Sequence, residues 1–294
     1  MKRALLTGIT GFIGLNLGKA LLQDGWEVYG IVRETSNVEK VNQELGNKVK
    51  LLIHGKEQDL NIIVAKVKPD VVFHLASVFL SSHTYSDIAS MIASNVTFGT
   101  ELLEAMSANG IKNFVNTGTS WQHYNSEDYN PVNLYAASKQ AFWDIIRYYQ
   151  EARDLAVINL ELFDTYGPGD PRRKLFALLK EFSESHEILK MSKGEQLIDI
   201  VFIEDVVRAF VLAGNYLLAG DYDVCGTYAV SSGKAIPLRD MVNKFVQISG
   251  RMVNVEWGAR AYRDREVMEP WNTGKSLPGW KPQCALEIGI PKFI

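Results

Sequence analysis

The chain has 294 residues, of which 47% are hydrophobic and 22% charged, an ordinary composition for one large globular domain or two. The net charge is −3, and because no basic run appears, we expect no nucleic-acid partner. No stretch approaches the ~20 apolar residues of a membrane span, so we expect no membrane association and a cytoplasmic location. Cys225 and Cys284 lie far apart, which fits a reducing compartment, and the histidines show no ligand spacing, so no metal is expected.

The amino-terminal segment combines a short apolar run, three glycines and a helical pattern. Arg3 to Thr7 is consistent with a buried parallel strand, and apolar residues after Gly14 recur at helical spacing. Between them, a side chain at Gly8, Gly11 or Gly14 would hold the backbone away from a pyrophosphate. The helix start would offer unpaired N–H groups to that anion. The pattern predicts a dinucleotide-binding turn, although a tight turn that binds nothing has the same spacing. The candidate contacts are Gly8, Thr10, Gly11, Phe12, Ile13 and Gly14.

Strands and helices alternate along most of the chain. Strands are predicted at 27–32, 49–53, 70–75, 113–116 and 156–162, and helices at 86–109 and 134–152. This alternation predicts an α/β fold, a Rossmann-like doubly wound parallel sheet. After residue 163 the pattern is less regular, with a helix near 173–183, a strand near 198–203, a helix at 204–219, a strand at 227–230 and a loop-rich tail. We expect a dinucleotide-binding domain of 1–163 plus 198–230 and a smaller, discontinuous substrate-binding part of 164–197 plus 231–294.

Arg33 stands where the second strand of a dinucleotide fold usually ends in an acidic residue that binds the ribose 2′-hydroxyl. A guanidinium can instead bind a 2′-phosphate through charge-assisted hydrogen bonds. The sequence therefore favours NADPH or NADP as the cofactor, with NAD less favoured. A solvated arginine at the end of a strand is the alternative.

Tyr135 and Lys139 lie four residues apart near the start of a predicted helix, so their side chains share one face. A cation beside a phenol lowers the pKa of the phenol toward the working range of an acid or base. Thr119 and Ser120 follow a strand, at the edge of the sheet where open α/β folds place their sites. These residues predict a catalytic set of Thr119, Tyr135 and Lys139, in which the threonine hydroxyl holds the substrate oxygen.

Several segments together resemble the extended short-chain dehydrogenase/reductase family, which includes nucleotide-sugar epimerases, dehydratases and reductases. The matching segments are 7–14, 73–77, 95–100, 135–139, 163–168 and 199–205. The resemblance implies that Leu75 and Ala76 lie near the cofactor. It also implies that Tyr135 is the acid or base and that Lys139 contacts the nicotinamide ribose.

The same resemblance narrows the reaction. Family dehydratases carry an Asp-Glu pair after the catalytic threonine, whereas Ser120 and Trp121 stand here. The family resemblance is strongest to CDP-linked 4-keto-deoxysugar reductases, which implies NADPH-dependent reduction of a nucleotide sugar in deoxysugar and O-antigen precursor biosynthesis. An NAD-dependent nucleotide-sugar 4-epimerase, a non-catalytic NADP-sensing protein and a reductase of small carbonyl compounds stay open. The expected substrate contacts are Ser77, Thr119, Ser120, Asp164, Arg173 and Arg263.

Two helices carry apolar residues on more than one side. Ile88, Met91 and Ile92 belong to the first, and Phe142, Trp143 and Ile146 belong to the second. One face must cover the sheet, and the other could pair with a second copy, as family members often do. We therefore expect a homodimer. Arg172 and Lys174 are interpreted as solvated surface charges.

Overall fold

A computed structural model describes residues 2–294 and contains one central parallel sheet. Its strands are β1 (Arg3–Thr7), β2 (Glu27–Arg33), β3 (Val49–His54), β4 (Val71–His74), β5 (Asn113–Thr119), β6 (Ala156–Leu162) and β11 (Gly226–Val230). Their spatial order is β11-β6-β5-β4-β1-β2-β3, and every neighbouring pair is parallel. The strand order reverses between β1 and β4, which is where doubly wound folds open a crevice for their ligand. The predicted Rossmann-like fold is confirmed.

Helices cover both faces of the sheet because successive side chains of a strand point in opposite directions. On β1, Ala4 and Leu6 belong to one apolar cluster, whereas Leu5 belongs to a second cluster on the other face. The helices before β11 are α1 (Phe12–Gln23), α2 (Glu39–Leu45), α3 (Leu60–Val67), α4 (Ile88–Ile92), α5 (Phe98–Ala108), α6 (Leu134–Arg153), α7 (Leu175–Ser185) and α8 (Ile203–Ala219). A π-helical turn, Ala93–Thr97, joins α4 to α5, so the helix predicted at 86–109 is interrupted there.

The remaining elements follow β6 in the chain and lie outside the central sheet. They are β7 (Asp164–Tyr166), β8 (Ile188–Met191), β9 (Leu197–Ile198), β10 (Ile200–Phe202), β12 (Ile236–Pro237), α9 (Leu238–Ser249), β13 (Asn254–Trp257) and α10 (Leu286–Phe293). Three small two-stranded sheets pair β7 with β10, β9 with β12, and β8 with β13. The single strand predicted near 198–203 is therefore β9 and β10, and the tail holds elements that the sequence pattern did not predict.

One apolar core joins the carboxyl-terminal helices to the central sheet. Phe245 of α9 and Ile290 of α10 are fully buried in the same cluster as Leu6 and Phe73 of the central sheet. Asp205 of α8 is also buried; its carboxylate accepts hydrogen bonds from the backbone N–H groups of residues 283 and 284, at 3.1 and 2.9 Å. The tail is thus held on the sheet by apolar packing and by a buried carboxylate. Within residues 2–294, none of the helices combines the length and apolarity needed to cross a bilayer.

Candidate active site

The glycine turn between β1 and α1 leaves no room for side chains. Gly8 has φ +72°, and a Cβ atom there would lie 2.7 Å from the backbone nitrogen of Ala76. A Cβ atom on Gly14 would collide with the carbonyl oxygen of Gly8 and lie 2.9 Å from Ile9 Cα. Gly11 caps α1 without a side-chain hydrogen bond, so the first N–H groups of the helix keep their capacity to bind an anion. This backbone cradle fits a dinucleotide pyrophosphate. Around it, Thr10 and Gly11 are exposed, Phe12 is buried and Ile13 is half-buried.

Thr7 fixes the neighbouring segment after β4. Its Oγ1 accepts hydrogen bonds from the N–H groups of Leu75 and Ala76, both at 3.1 Å, and lies 2.9 Å from His74 Nδ1. Because two N–H groups already occupy its lone pairs, the hydroxyl donates its own proton to His74 Nδ1. Complete burial, with the charge of Lys139, lowers the pKa of His74 to about 3. The His74 imidazole is therefore neutral, and its hydrogen bond with Thr7 fixes the base of the cleft beside the glycine turn.

Tyr135 and Lys139 lie in the first turns of α6, which Asn133 caps by accepting a hydrogen bond from Ala136 N–H at 3.0 Å. The buried Asn95, in the π-helical turn, ties this helix to the segment after β4. Its amide accepts from Ser77 Oγ at 3.0 Å and donates to Ser138 Oγ at 3.0 Å. The extra residue of a π turn redirects a side chain, and here it places Asn95 between the two segments.

The phenol of Tyr135 is held in its neutral form. Burial raises the pKa of Tyr135 to about 12, and the Ser77 hydroxyl and the Arg172 charge oppose that rise only in part. Lys139 is not among the groups that lower the pKa of Tyr135 here, so the expected lowering by Lys139 stays a prediction. Lys139 is itself buried, with 2% exposure, and desolvation lowers its pKa to about 8. The Tyr135 phenol thus keeps its proton at neutral pH, and Lys139 stays mostly charged there.

Thr119 ends β5 and begins a tight turn. Its N–H donates to Gln122 Oε1 at 3.0 Å, and its Oγ1 accepts from Trp121 N–H at 3.3 Å. Phe79 joins this turn to the phenol, since its ring centroid lies 4.9 Å from that of Tyr135 and 5.7 Å from that of Trp121. Phe79 and Trp121 therefore form an aromatic corner between the Thr119 turn and the ring of Tyr135.

A cavity of about 380 Å³ opens beside this corner. Its lining includes Phe79, Ser120 and Trp121 together with Asp164 and Arg263. Burial works to raise the pKa of Asp164, but the charges of Lys174, Arg172 and Arg263 outweigh it and lower that pKa. Asp164 is therefore an anion inside a mainly cationic group of side chains.

The model of the NAD dependent epimerase/dehydratase family matches residues 4–225. The chain belongs to that family. It is therefore an NAD(P)-dependent enzyme of the short-chain dehydrogenase/reductase type.

Individual relatives match this chain along nearly its whole length. The CDP-abequose synthase of Salmonella muenchen is 27% identical, covering 100% of this chain and 97% of the relative. The UDP-glucose 4-epimerase of Mycolicibacterium smegmatis is 29% identical, covering 99% and 97%. Among solved structures, a UDP-N-acetylglucosamine 4-epimerase of Methanobrevibacter ruminantium M1, in complex with UDP-N-acetylmuramic acid, superposes with a TM-score of 0.85 at 20% identity, covering 99% and 96%.

Some of the predicted substrate residues of this epimerase/dehydratase family member line the cavity, and others do not. Asp164 and Arg263 line the cavity, and Arg263 lies 6.0 Å from the Trp121 ring centroid. Arg173 also lines the cavity, but its exposed guanidinium binds both oxygens of Glu181 at 2.8 Å. Arg33 is exposed at the end of β2, and within residues 2–294 its guanidinium makes no hydrogen bond or ion pair.

Two charges interpreted as solvated prove to be engaged. Lys174 Nζ lies 2.6 Å from Asp164 Oδ1 inside the cavity. Arg172 binds both oxygens of Asp170 at 2.7 Å, and its guanidinium carbon lies 4.9 Å from the ring centroid of Phe12. The loop between β7 and α7 therefore turns Arg172 toward the glycine turn and Lys174 toward the cavity, which residue type alone could not indicate.

Sequence reasoning missed one further group, formed by His123, Glu161 and Trp271. His123 and Trp271 line the cavity, and the buried Glu161 carboxylate lies 2.7 Å from His123 Nε2. The only sequence signal was polar: Asn159 and Glu161 interrupt the apolar run of β6. Within residues 2–294, no group of three or more His, Cys, Asp or Glu side chains is arranged to hold a metal ion.

Proposed function

We propose that this enzyme uses NADPH to reduce a 4-keto-deoxy nucleotide sugar, CDP-linked by preference, to the 4-hydroxy sugar. The observation that carries the proposal is the neutral phenol of Tyr135 beside a cavity that holds Lys174 and Arg263. A protonated phenol suits the reductive direction, since the carbonyl oxygen needs a proton as its carbon accepts hydride. Cationic side chains suit the diphosphate of a nucleotide sugar.

Each residue then has a defined part in the reaction. Bound NADPH supplies the hydride. Tyr135 donates its hydroxyl proton to the carbonyl oxygen, and the Thr119 hydroxyl orients that oxygen. Lys139 keeps a positive charge near the phenolate that forms and binds the nicotinamide ribose. The Gly8–Gly14 turn holds the pyrophosphate, because only backbone approaches it there.

The choice of NADPH rests on Arg33, whose exposed guanidinium at the end of β2 is available to a 2′-phosphate. We expect Arg33→Asp to raise the Kd for NADPH about tenfold or more, while the Kd for NADH changes little. Fluorescence titration of each coenzyme measures both constants. Lys48→Asp, a charge reversal at another exposed position, is the control. Equal losses for both coenzymes would contradict the assignment of Arg33.

The nucleotide-sugar substrate is supported by the CDP-abequose synthases, which match this chain at 27% identity in Salmonella and in Yersinia pseudotuberculosis. The test is incubation with NADPH and 4-keto-6-deoxyglucose linked to CDP, UDP or dTDP, with loss of NADPH absorbance as the signal and product identification by NMR. Tyr135→Phe should lower kcat at least about a hundredfold. Tyr222→Phe, at a half-exposed surface position, should leave kcat unchanged. Turnover that survives Tyr135→Phe would favour a different proton donor or a sensing protein.

A nucleotide-sugar 4-epimerase is the second candidate. It is supported by the UDP-glucose 4-epimerase of Mycolicibacterium smegmatis, 29% identical over 99% of this chain. An epimerase oxidises and then reduces its substrate on one retained NAD, so coenzyme would remain in the purified protein. Release of NAD on denaturation, with interconversion of UDP-glucose and UDP-galactose and no net use of NADPH, would establish it.

We also propose the division of labour and the assembly. Residues 1–163 plus 198–230 bind the coenzyme, and residues 164–197 plus 231–294 bind the nucleotide sugar. Met91, Phe142 and Ile146 are buried in the core, whereas Ile88 and Ile92 of α4 stay about one-third exposed, at 36% and 37%. These two residues support a homodimer through α4 and α6, and a monomeric mass by light scattering at micromolar concentration would contradict it.

A further inference from the structure

A buried ion pair lies behind the cavity wall, one strand away from Thr119. Glu161 is only 2% exposed, and its Oε2 lies 2.7 Å from His123 Nε2. Gly118, on the neighbouring strand β5, makes the space for this carboxylate. A Cβ atom there would lie 2.7 Å from Glu161 Cγ. β5, which carries Thr119, therefore has a glycine at the position that faces the Glu161 side chain.

The hydrogen bonds of His123 suit the imidazolium form. Nε2 faces the Glu161 carboxylate, and Nδ1 lies 3.0 Å from the carbonyl oxygen of Glu127. Both partners are acceptors, and only a doubly protonated ring donates from both nitrogens. The second carboxylate oxygen of Glu161 accepts from Asn159 Nδ2 at 3.2 Å, so the anion is satisfied as well. The pair is a complete, fixed unit.

Trp271 stacks on this imidazolium. The ring centroids lie 4.0 Å apart with an interplanar angle of 15°. The indole Nε1 donates to Thr273 Oγ1 at 2.8 Å, and the six-membered ring packs on Gly274, where a Cβ atom would lie 2.7 Å from it. A cation against an aromatic face is attracted by the ring quadrupole. Stacking, the N–H hydrogen bond and the glycine contact together fix the indole in the cavity wall.

The indole stands in an aromatic part of that wall. Phe163 lies nearly parallel to it at 6.4 Å, and Trp121 and Phe79 continue the lining toward Tyr135. An aromatic surface of this kind gains from burying C–H and methyl groups. A hydroxyl placed on it would lose its hydrogen bonds to water without a replacement.

We propose that the His123–Glu161 pair is a positioning element that holds Trp271 against the deoxygenated side of the sugar, so that the site selects a 6-deoxy sugar over a 6-hydroxy sugar. This inference rests on the proposed function, because it assumes a nucleotide sugar in the cavity. It adds the residues that select the deoxygenated position and gives a role to residues outside the catalytic set.

Binding of two unreactive nucleotide sugars tests the selection without turnover. CDP-glucose and CDP-6-deoxyglucose differ only in the 6-hydroxyl, and isothermal titration with the NADP-loaded enzyme gives both Kd values. We expect the wild type to bind the deoxy compound about tenfold or more tightly. Trp271→Ala should bring the ratio of Kd values close to one, and Trp271→Phe should restore part of it. Trp257→Ala removes a tryptophan stacked on Arg239, with 4.8 Å from the guanidinium carbon to the ring centroid, and should keep the wild-type ratio.

His123→Gln tests the positioning role, because glutamine keeps a donor for Glu161 but not the cation beneath the indole. We expect the KM for the CDP-linked 4-keto-6-deoxy sugar to rise about tenfold, with kcat at saturation changed less than about threefold. A fall in kcat with unchanged KM would overturn the positioning role. Binding of both CDP-sugars with equal Kd by an active wild type would overturn the inference and leave the proposed function standing. Binding of neither compound would overturn both.

Discussion

Acidification should destabilise this protein through His74, at the floor of the coenzyme cleft. The side chain is fully buried among Phe98, Phe114 and Phe142, with ring centroids 5.2 to 6.0 Å from its own. Its pKa is about 3 in the folded chain against an ordinary 6.5, because burial penalises the imidazolium. Below pH 6.5, His74 therefore binds a proton in the unfolded chain but not in the folded chain. The stability from His74 is present above pH 6.5 and is lost as the pH falls toward 3.

The size of the effect follows from the difference between the two pKa values. Each pH unit between them is worth about 1.4 kcal/mol, so the loss between pH 8 and pH 5 is about 2 kcal/mol. Urea unfolding followed by tryptophan fluorescence at pH 8, 6 and 5 measures the free energy of unfolding. His74→Gln keeps a polar group within reach of Thr7 but does not titrate, so it should lack this component. The comparison of variant with wild type at each pH cancels the titration of the other groups.

Parallel loss of stability in the two proteins, within about 0.5 kcal/mol at each pH, would refute the reasoning, since that is the ordinary error of additivity between independent sites. Such a result would mean that the folded chain admits the imidazolium, through water entry or a shift of the aromatic rings.

Three further perturbations test the cleft and the tail. Gly14→Ala should raise the Kd for NADPH more than about tenfold, because the new methyl group collides with Gly8. Gly226→Ala should leave this Kd unchanged, because no atom lies nearer than 3.7 Å to the added Cβ. Coenzyme fluorescence measures both constants. Asp205→Ala should lower the free energy of unfolding by about 3 kcal/mol, measured by urea denaturation, because it removes the acceptor for two tail N–H groups. Burial lowers the pKa of Lys139 to about 8, so Lys139 should lose its charge as the pH rises and the KM for NADPH should increase above pH 8. Lys139→Arg stays charged and should remove this increase. A KM that does not change with pH in the wild type would contradict the prediction.

The central sheet could be predicted because its information is local. Val71, Val72 and Phe73 form an apolar run that is buried on both faces, and the glycines after β1 lie next to the helix that they introduce. The helix α9 was missed although Met241, Val242 and Phe245 have helical spacing, because the prolines of residues 270–282 led to the whole tail being interpreted as loop-rich. Its packing on the sheet is a tertiary contact, which no short window of sequence contains.

The candidate site could likewise be predicted only where its residues lie close together in the sequence. Tyr135, Lys139 and Thr119 belong to compact motifs and could be predicted. The group of His123, Glu161 and Trp271 is assembled from three distant segments, so its members looked like ordinary surface or core residues. The pKa of Tyr135 could not be predicted either, because motif spacing says nothing about how far burial offsets a nearby cation.

The apolar core shared by the central sheet and the carboxyl-terminal segment has a consequence for engineering. Phe245 and Ile290 pack in the same cluster as Leu6 and Phe73, so cutting the chain after residue 230 would strip a hydrophobic wall from the remaining fragment. Such a fragment should aggregate on expression, and exchanging the carboxyl-terminal segment with that of a relative should fail unless the facing residues are exchanged with it. Changes of sugar specificity are therefore better sought by point substitution in the cavity than by recombination of modules.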